Sequence, residues 1–133
     1  MGLYRIMLVD DEEEVRKAMI RKMDWEKLGF TVVGDAENGE DALEKLEHLE
    51  PDVVMTDIRM PYMDGLTLTA KIREKYPSIK ILIFSGYDDF EYAQKAIKLN
   101  VTEYILKPVN GEELAKILNR VRENLDEEIE QRR

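Results

Sequence analysis

The sequence contains no cysteine, which excludes a disulfide framework, a thiolate metal site and a cysteine nucleophile. It has no apolar run near the roughly 20 residues that span a bilayer, and its first residues lack the apolar segment of a secretory signal peptide. Basic residues number 20 against 29 acidic ones, so a nucleic-acid-binding surface is disfavoured. The 44 % of apolar residues is nevertheless enough for a core. We therefore expect one acidic, soluble, cytoplasmic domain.

Five short apolar runs, rich in Val and Ile, do not alternate strictly with polar residues, as is typical of strands buried on both faces of a parallel sheet. These runs are Tyr4–Val9, Thr31–Val33, Val53–Thr56, Ile79–Phe84 and Tyr104–Leu106. A segment with the apolar spacing of a helix follows each run. Strict alternation of strand and helix predicts right-handed crossovers and a parallel sheet. We therefore predict an α/β fold of the doubly wound type, a five-stranded parallel sheet with helices on both faces.

Polar residues end four of the five predicted strands, at the edge of a doubly wound sheet where ligands bind. They are Asp10 and Asp11 after the first strand, Asp57 after the third, Ser85 after the fourth and Lys107 after the fifth. Crowded carboxylates repel one another unless a cation lies between them, and oxygen ligands of this kind suit Mg²⁺. Each Asp taken alone could simply cap a helix. Together with a hydroxyl and an ammonium group, the carboxylates match the needs of phosphoryl transfer to or from an aspartate.

The segments around these residues resemble the receiver domain of two-component response regulators, in the CheY-like superfamily. The resemblance runs from about Ile6 to about Arg122. It is carried by Leu8–Glu12, Val54–Pro61, Met63–Gly65, Phe84–Gly86 and Tyr104–Pro108. It implies a flavodoxin-like fold with the strand order 2-1-3-4-5. It also implies a regulatory phosphoacceptor that does chemistry on itself, rather than an enzyme with an external substrate.

The resemblance assigns the phosphoacceptor and the metal ligands. Asp57 is implied to receive the phosphoryl group, and Lys107 to contact the phosphoryl oxygens. Mg²⁺ is implied to bind Asp10, Asp11, Asp57 and the backbone carbonyl of Arg59. An aspartyl-phosphate hydrolase of the haloacid-dehalogenase type is a competing interpretation, but it needs a second Asp at the position that Arg59 occupies in this chain.

The resemblance also assigns a switch. Ser85 is implied to follow the phosphoryl group, and Tyr104 to act as an aromatic switch residue. A Tyr that is merely half-buried in the core is the alternative for Tyr104. The Lys107–Pro108 peptide bond is implied to be cis. The face formed by the fourth predicted helix, the last strand and the last helix is implied to change on phosphorylation and to bias homodimerisation.

A narrower resemblance, to receivers that precede an AraC-type helix-turn-helix, is carried by Trp25, Leu28–Phe30, Ala36–Gly39 and Ser85–Ala93. It implies a transcriptional output that is controlled by phosphorylation from a sensor histidine kinase. Nothing after Lys107 is basic and compact enough to read DNA, so DNA contact would need an output domain absent from this chain. A stand-alone receiver and a degenerate receiver that serves only as a protein-interaction module are the alternatives.

The last helix extends the pattern beyond the receiver. We assign residues 1–124 to the receiver domain and residues 125–133 to an extension of this helix. The apolar residues of the helix follow the alternating steps of four and three of a coiled-coil seam: Leu114, Leu118, Val121 and Leu125, with Ile129 one turn further. The extension is interpreted as the start of a linker to an output domain, and a frayed polar tail is the alternative.

Overall fold

The computed structural model describes residues 2–86 and 90–132 and contains one sheet flanked by helices. The strands are β1 (Tyr4–Val9), β2 (Phe30–Ala36), β3 (Val53–Asp57), β4 (Lys80–Ser85) and β5 (Glu103–Leu106). The helices of the described residues are α1 (Glu13–Lys22), α2 (Trp25–Leu28), α3 (Gly39–Leu49), α4 (Gly65–Lys75), α5 (Phe90–Lys98) and α6 (Gly111–Gln131). Neighbouring strands are parallel, in the order β2-β1-β3-β4-β5. The predicted α/β class, the five-stranded sheet and its strand order are therefore confirmed.

Strand β1 explains why its apolar run is continuous. Ile6 and Leu8 pack with residues of α1, α2 and α6 on one side of the sheet, whereas Met7 and Val9 pack with residues of α3, α4 and α5 on the other. All four side chains are buried. Because helices cover both faces, a central strand presents no face to water and needs no alternating polar residues.

The structure contains one helix that the sequence analysis did not predict. Helix α2 has only four residues, too few to produce a helical period in the sequence. The carboxylate of Asp24 accepts the N–H of Lys27 at its start, and Gly29 ends it with a φ of 95°. Trp25 is buried in the same core cluster as the apolar face of α6. The short helix thereby anchors the turn that leads into β2.

Helix α6 is the longest of the described helices, with 21 residues. Its seam residues are buried against the sheet: Leu114, Leu118, Val121 and Leu125. Asp126 accepts a hydrogen bond from the hydroxyl of Tyr4, and Glu128 pairs with Lys80. Residues 125–128, which the sequence analysis assigned to an extension, thus pack against the amino edge of the sheet, where the strands begin. No helix of the described residues is long and apolar enough to cross a membrane.

Candidate functional site

The strand register brings predicted site residues to one edge of the sheet. Val9 of β1 pairs with Thr56 of β3, so the residues that follow, Asp10 and Asp57, lie side by side at the carboxyl ends of their strands. Ser85 ends β4 directly after the residue that pairs with Asp57, and it is fully buried. The hydrogen-bonded ladder of the sheet therefore sets the spacing of these side chains, which a loop would hold less firmly.

Lys107 provides a cation at this carboxyl edge. Its Nζ donates a hydrogen bond to Asp57 Oδ1 at 2.9 Å, and its backbone N–H donates to the carbonyl of Ser85 at 2.7 Å. Burial by itself lowers the pKa of Lys107, but the hydrogen bond to Asp57 and the charges of Asp57 and Asp10 raise that pKa above its ordinary value. The ammonium group therefore stays charged at neutral pH. The Lys107–Pro108 peptide bond is cis, as the resemblance implied.

Asp10 is a nearly buried carboxylate, with 9 % of its surface exposed. Its Oδ1 accepts the backbone N–H of Glu12 at 2.9 Å. Burial raises the pKa of Asp10 to about 6; the N–H of Glu12 and the charge of Lys107 oppose the rise, and the charges of Asp57 and Asp11 add to it. At neutral pH the carboxylate of Asp10 is ionised, but its burial makes this charge unfavourable for the folded state. A bound cation would remove much of that unfavourable free energy.

The acidic cluster, defined as Asp10, Asp11 and Glu12, offers carboxylate oxygens that lie within 4.8 Å of one another. Asp11 and Glu12 are exposed, so water can complete a coordination sphere around an ion. Carboxylate oxygens with room for water are the donor set that fits Mg²⁺. Glu12 was not a predicted ligand, because acidic residues after a strand also suit the first turn of a helix. It is the N-cap of α1, yet within the described chain its side chain makes no capping hydrogen bond.

Two of the predicted site residues, Arg59 and Tyr104, also contact α5 or its core. The guanidinium of Arg59 lies over the ring of Tyr92 on α5, 5.7 Å from the ring centroid, and the backbone carbonyl of Arg59 stays a predicted ligand. Tyr104 pairs with Ile83 on β4, and its ring packs on the core cluster that contains Ala96 of α5. The hydroxyl of Tyr104 is buried without a hydrogen-bond partner among the described residues. A buried hydroxyl without a partner lowers the stability of the fold.

A residue that the sequence analysis did not identify also belongs to the carboxyl edge. Arg16 on α1 donates from Nε to Asp35 Oδ2 at 2.9 Å and from Nη1 to the carbonyl oxygen of Asp10 at 2.6 Å. With Asp10, Asp57 and Lys107 it lines a cavity of about 20 Å³. No sequence pattern indicates this contact, because Asp35 lies 19 residues away on another strand.

Comparisons with known proteins identify the family. The family model of the response regulator receiver domain matches residues 6–119. The transcriptional regulatory protein YesN of Bacillus subtilis is 40 % identical over 119 residues, which cover 90 % of this chain and 32 % of that protein. The chain spans 46 % to 50 % of the length of further curated relatives. It therefore corresponds to one part of these longer proteins.

Solved structures agree in fold and include regulators of the AraC group. The receiver domain of AraT from Geobacillus stearothermophilus has a TM-score of 0.87 and 40 % identity, and the match covers 95 % of this chain and 98 % of that chain. A two-component transcriptional regulator AraC from Clostridium phytofermentans has a TM-score of 0.80 and 36 % identity, covering 88 % of this chain and 91 % of that one. These matches confirm the narrower resemblance, of which residues 87–89 lie outside the described residues. By its sequence and by its fold, this chain belongs to the response regulator receiver domain family.

Proposed function

We propose that this domain is a phosphorylation-dependent switch in which Asp57 is the phosphoacceptor. The observation that carries the proposal is the 2.9 Å contact between Asp57 Oδ1 and Lys107 Nζ, beside the nearly buried carboxylate of Asp10. Receiver domains are regulatory domains rather than classical enzymes, and they interact with histidine kinases. We therefore assign the phosphoryl donor to a sensor histidine kinase and the place of reaction to the cytoplasm, where response regulators typically act.

The transfer forms one bond and breaks one. A carboxylate oxygen of Asp57 attacks the phosphorus of the donor phosphohistidine, and the P–N bond breaks with its electron pair left on the imidazole nitrogen. Lys107, which contacts Asp57, neutralises part of the charge that the phosphoryl oxygens bring. Ser85 is proposed to donate its hydroxyl hydrogen to one of these oxygens, because it ends the neighbouring strand. Loss of the group occurs when water attacks the same phosphorus and the P–O bond to Asp57 breaks.

The donor set of the carboxyl edge fits Mg²⁺, which receiver domains bind. The proposed ligands are Asp10, Asp11, Asp57 and the backbone carbonyl of Arg59, and Glu12 is a further candidate from the acidic cluster. When bound, Mg²⁺ supplies positive charge that reduces repulsion between the phosphoryl oxygens and the carboxylates. The carboxylates would hold the ion, and its positive charge would offset the repulsion between them.

We place the output of the switch on α5, β5 and α6. Tyr104 lies on β5 with a buried hydroxyl that no described residue binds, so it can change position when Ser85 follows the phosphoryl group. Phe90, Ile97 and Leu106 expose large apolar side chains on α5 and β5. Large exposed apolar side chains on these two consecutive elements favour a protein contact, which we propose to be homodimerisation on phosphorylation.

The proposed output domain is a transcriptional one of the AraC type. YesN, a transcriptional regulator, is longer than this chain, and the match covers 32 % of it. We therefore propose that residues 1–124 are the receiver and that residues 125–133 begin the connection to a helix-turn-helix, although Leu125, Asp126 and Glu128 still contact the sheet. The chain itself carries a formal charge of −9, so DNA contact is assigned to the output domain alone.

Intact-mass spectrometry tests the phosphoacceptor. Incubation with Mg²⁺ and acetyl phosphate should add one phosphoryl group to the wild type. Asp57→Asn and EDTA should each abolish the addition. Asp64→Asn is the matched control and should still be labelled, because Asp64 caps α4 by accepting the N–H of Thr67. Labelling that persists in Asp57→Asn would contradict the assignment, and an unlabelled wild type would favour a degenerate interaction module.

Sedimentation of phosphorylated and unmodified protein tests the dimer face. Ile97→Glu places a charge on the exposed face of α5 and should abolish dimerisation that depends on phosphorylation. Ile129→Glu places the same charge on the distal part of α6 and should leave the dimer intact. If Ile129→Glu abolishes the dimer and Ile97→Glu does not, the dimer contact lies at the end of α6 and not on α5. If the dimerisation constant is the same in all samples, phosphorylation does not control dimerisation through this face.

A further inference from the structure

Arg16 links α1 and β2 to the residue that follows β1, beside the acidic cluster, and the proposed function gives it no role. It lies on α1 with 10 % of its side chain exposed. Its Nε donates to Asp35 Oδ2 on β2 at 2.9 Å, and its Nη1 donates to the carbonyl oxygen of Asp10 after β1 at 2.6 Å. A nearly buried guanidinium that bridges a carboxylate and a carbonyl in this way restricts the geometry of both.

These contacts fix the backbone that carries the carboxylate of Asp10. The N–H of Asp10 donates to the carbonyl of Ala36 at 3.1 Å, and its own carbonyl accepts from Arg16. Asp35, the residue before Ala36, is held as well, since its backbone carbonyl accepts Lys45 Nζ at 2.7 Å. Asp10 is therefore held through both its N–H and its carbonyl, and Arg16 helps to fix the backbone from which its carboxylate extends toward the N–H of Glu12.

Arg16 can act on a nearby cation in two opposite ways. Its positive charge repels a divalent ion, so a purely electrostatic role predicts tighter Mg²⁺ binding when that charge is removed. Its hydrogen bonds orient Asp10, so a positioning role predicts weaker binding when the bridge is broken, even where the charge is kept. The structure favours the second role, because the carboxylate of Asp35 already balances the charge of the guanidinium.

We propose that Arg16, anchored by Asp35, is a positioning residue that sets the Mg²⁺ affinity of the acidic cluster through the backbone of Asp10. The inference rests on the proposed function for the identity of the cation. It assigns no contact between Arg16 and the ion or the phosphoryl group. Its effect is transmitted through the carbonyl of Asp10, two bonds away from the side chain that would bind the metal.

Isothermal titration calorimetry with Mg²⁺, at constant ionic strength, measures the expected effect. Arg16→Lys keeps the charge but lacks the planar fork that bridges two acceptors, and it should weaken Mg²⁺ binding about tenfold. Asp35→Asn keeps the shape of the anchor without its charge and should weaken binding by a smaller factor. The double variant should bind Mg²⁺ no more weakly than Arg16→Lys, because both substitutions act through one contact.

Arg73→Lys is the matched control at the amino edge of the sheet. Arg73 is a partly buried arginine that donates to the backbone carbonyls of Leu99 and Asn100, at 3.3 Å and 2.8 Å. Urea unfolding should show lower stability for both Arg→Lys variants, but only Arg16→Lys should change the Mg²⁺ dissociation constant. At saturating Mg²⁺ the labelling rate of Arg16→Lys with acetyl phosphate should return to that of the wild type.

The outcomes separate this inference from the proposed function. Unchanged or tighter Mg²⁺ binding in Arg16→Lys, with a wild type that binds Mg²⁺ and is labelled, overturns the positioning role alone. A wild type that binds no Mg²⁺ overturns the proposed metal site and this inference with it. If Arg16→Lys does not fold, Asp35→Asn decides: weaker binding supports the positioning role, and wild-type affinity overturns it.

Discussion

The two edges of the sheet use charge in opposite ways. At the carboxyl edge the acidic cluster lies beside the ion pair of Asp57 and Lys107, and burial raises the pKa of Asp10 to about 6. At the amino edge Asp126 of α6 accepts a hydrogen bond from Tyr4, and Glu128 of α6 pairs with Lys80. The first edge crowds like charges, and the second pairs donors with acceptors.

The charges at the two edges act on the stability of the fold in opposite directions. A carboxylate held near other carboxylates lowers the stability of the fold until a cation binds, whereas a paired carboxylate raises it. Neutralising one acidic side chain should therefore stabilise the protein at the carboxyl edge and destabilise it at the amino edge.

Leu125→Ala should lower the free energy of unfolding by about 3 kcal/mol. Leu125 is 7 % exposed and packs in the core between α6 and the sheet, so its truncation leaves a cavity. Ile129→Ala is the control. Because Ile129 is 37 % exposed, its truncation should lower the free energy of unfolding far less. Urea unfolding measures both. If both variants lower the free energy of unfolding by the same small amount, the part of α6 from residue 125 onward does not pack on the sheet.

Asp10→Asn should raise the free energy of unfolding by about 2 kcal/mol at pH 7 without divalent cations. The pKa of Asp10 is raised in the folded state, so protonation favours folding. Its contribution is present near pH 4 and is lost as the pH rises through about 6. In EDTA the free energy of unfolding of the wild type should therefore fall between pH 4 and pH 7. That of Asp10→Asn should not show this fall. Asp126→Asn, the matched change at the amino edge, should be destabilising; the same sign for both variants would refute the comparison.

Mg²⁺ should stabilise the wild type, because only the folded state brings Asp57 beside the acidic cluster. A free Mg²⁺ concentration ten times the dissociation constant should raise the free energy of unfolding by about 1.4 kcal/mol. Asp10→Asn should show a smaller gain from the ion. Asp57→Asn should be less stabilising without metal than Asp10→Asn, because it also removes the ion pair with Lys107. Thermal melting with EDTA or Mg²⁺ tests this order, and equal responses in all three proteins would mean that the carboxylates do not form one site.

Tyr4→Phe should lower the free energy of unfolding by about 1 kcal/mol, because it removes the hydrogen bond to Asp126. Burial first, and then the hydrogen bond and charge of Asp126, raise the pKa of Tyr4 to about 12. Since the raised pKa favours the protonated form in the folded state, this contribution is complete below pH 10 and is lost as the pH approaches 12. Absorbance titration should lose its highest-pH phenolic transition in Tyr4→Phe. Tyr62→Phe, at a fully exposed ring, should change neither quantity.

The fold and the residues at the strand ends could be predicted because they depend on local pattern. Asp57 and Lys107 end apolar runs, and parallel strands bring such ends to one edge. The second strand was predicted too short, as Thr31–Val33, because Gly34 and Asp35 interrupt its apolar pattern while both still pair with β1. Asp35 is accommodated in this strand because its carboxylate pairs with Arg16 of α1.

The remaining features could not be predicted because they join segments that are distant in the chain. Arg16 stands among the charged residues of α1, and only the fold brings it to Asp35 and the carbonyl of Asp10. Asp126 lies in a polar stretch that resembles a tail, and only the fold brings it to Tyr4. Sequence patterns report which face of a helix is apolar, but they carry no information on which polar groups meet across the core.

The central claim is that the carboxyl edge makes Asp57, and no other acidic residue, the phosphoacceptor. Its most direct test is to treat the protein with Mg²⁺ and acetyl phosphate, reduce it with borohydride, and locate the product by tandem mass spectrometry. Reduction converts an aspartyl phosphate to homoserine, so the chemistry marks the residue that carried the group. The account predicts homoserine at position 57 alone. Homoserine at position 10, 11 or 64, or none at position 57 in a labelled protein, would contradict it.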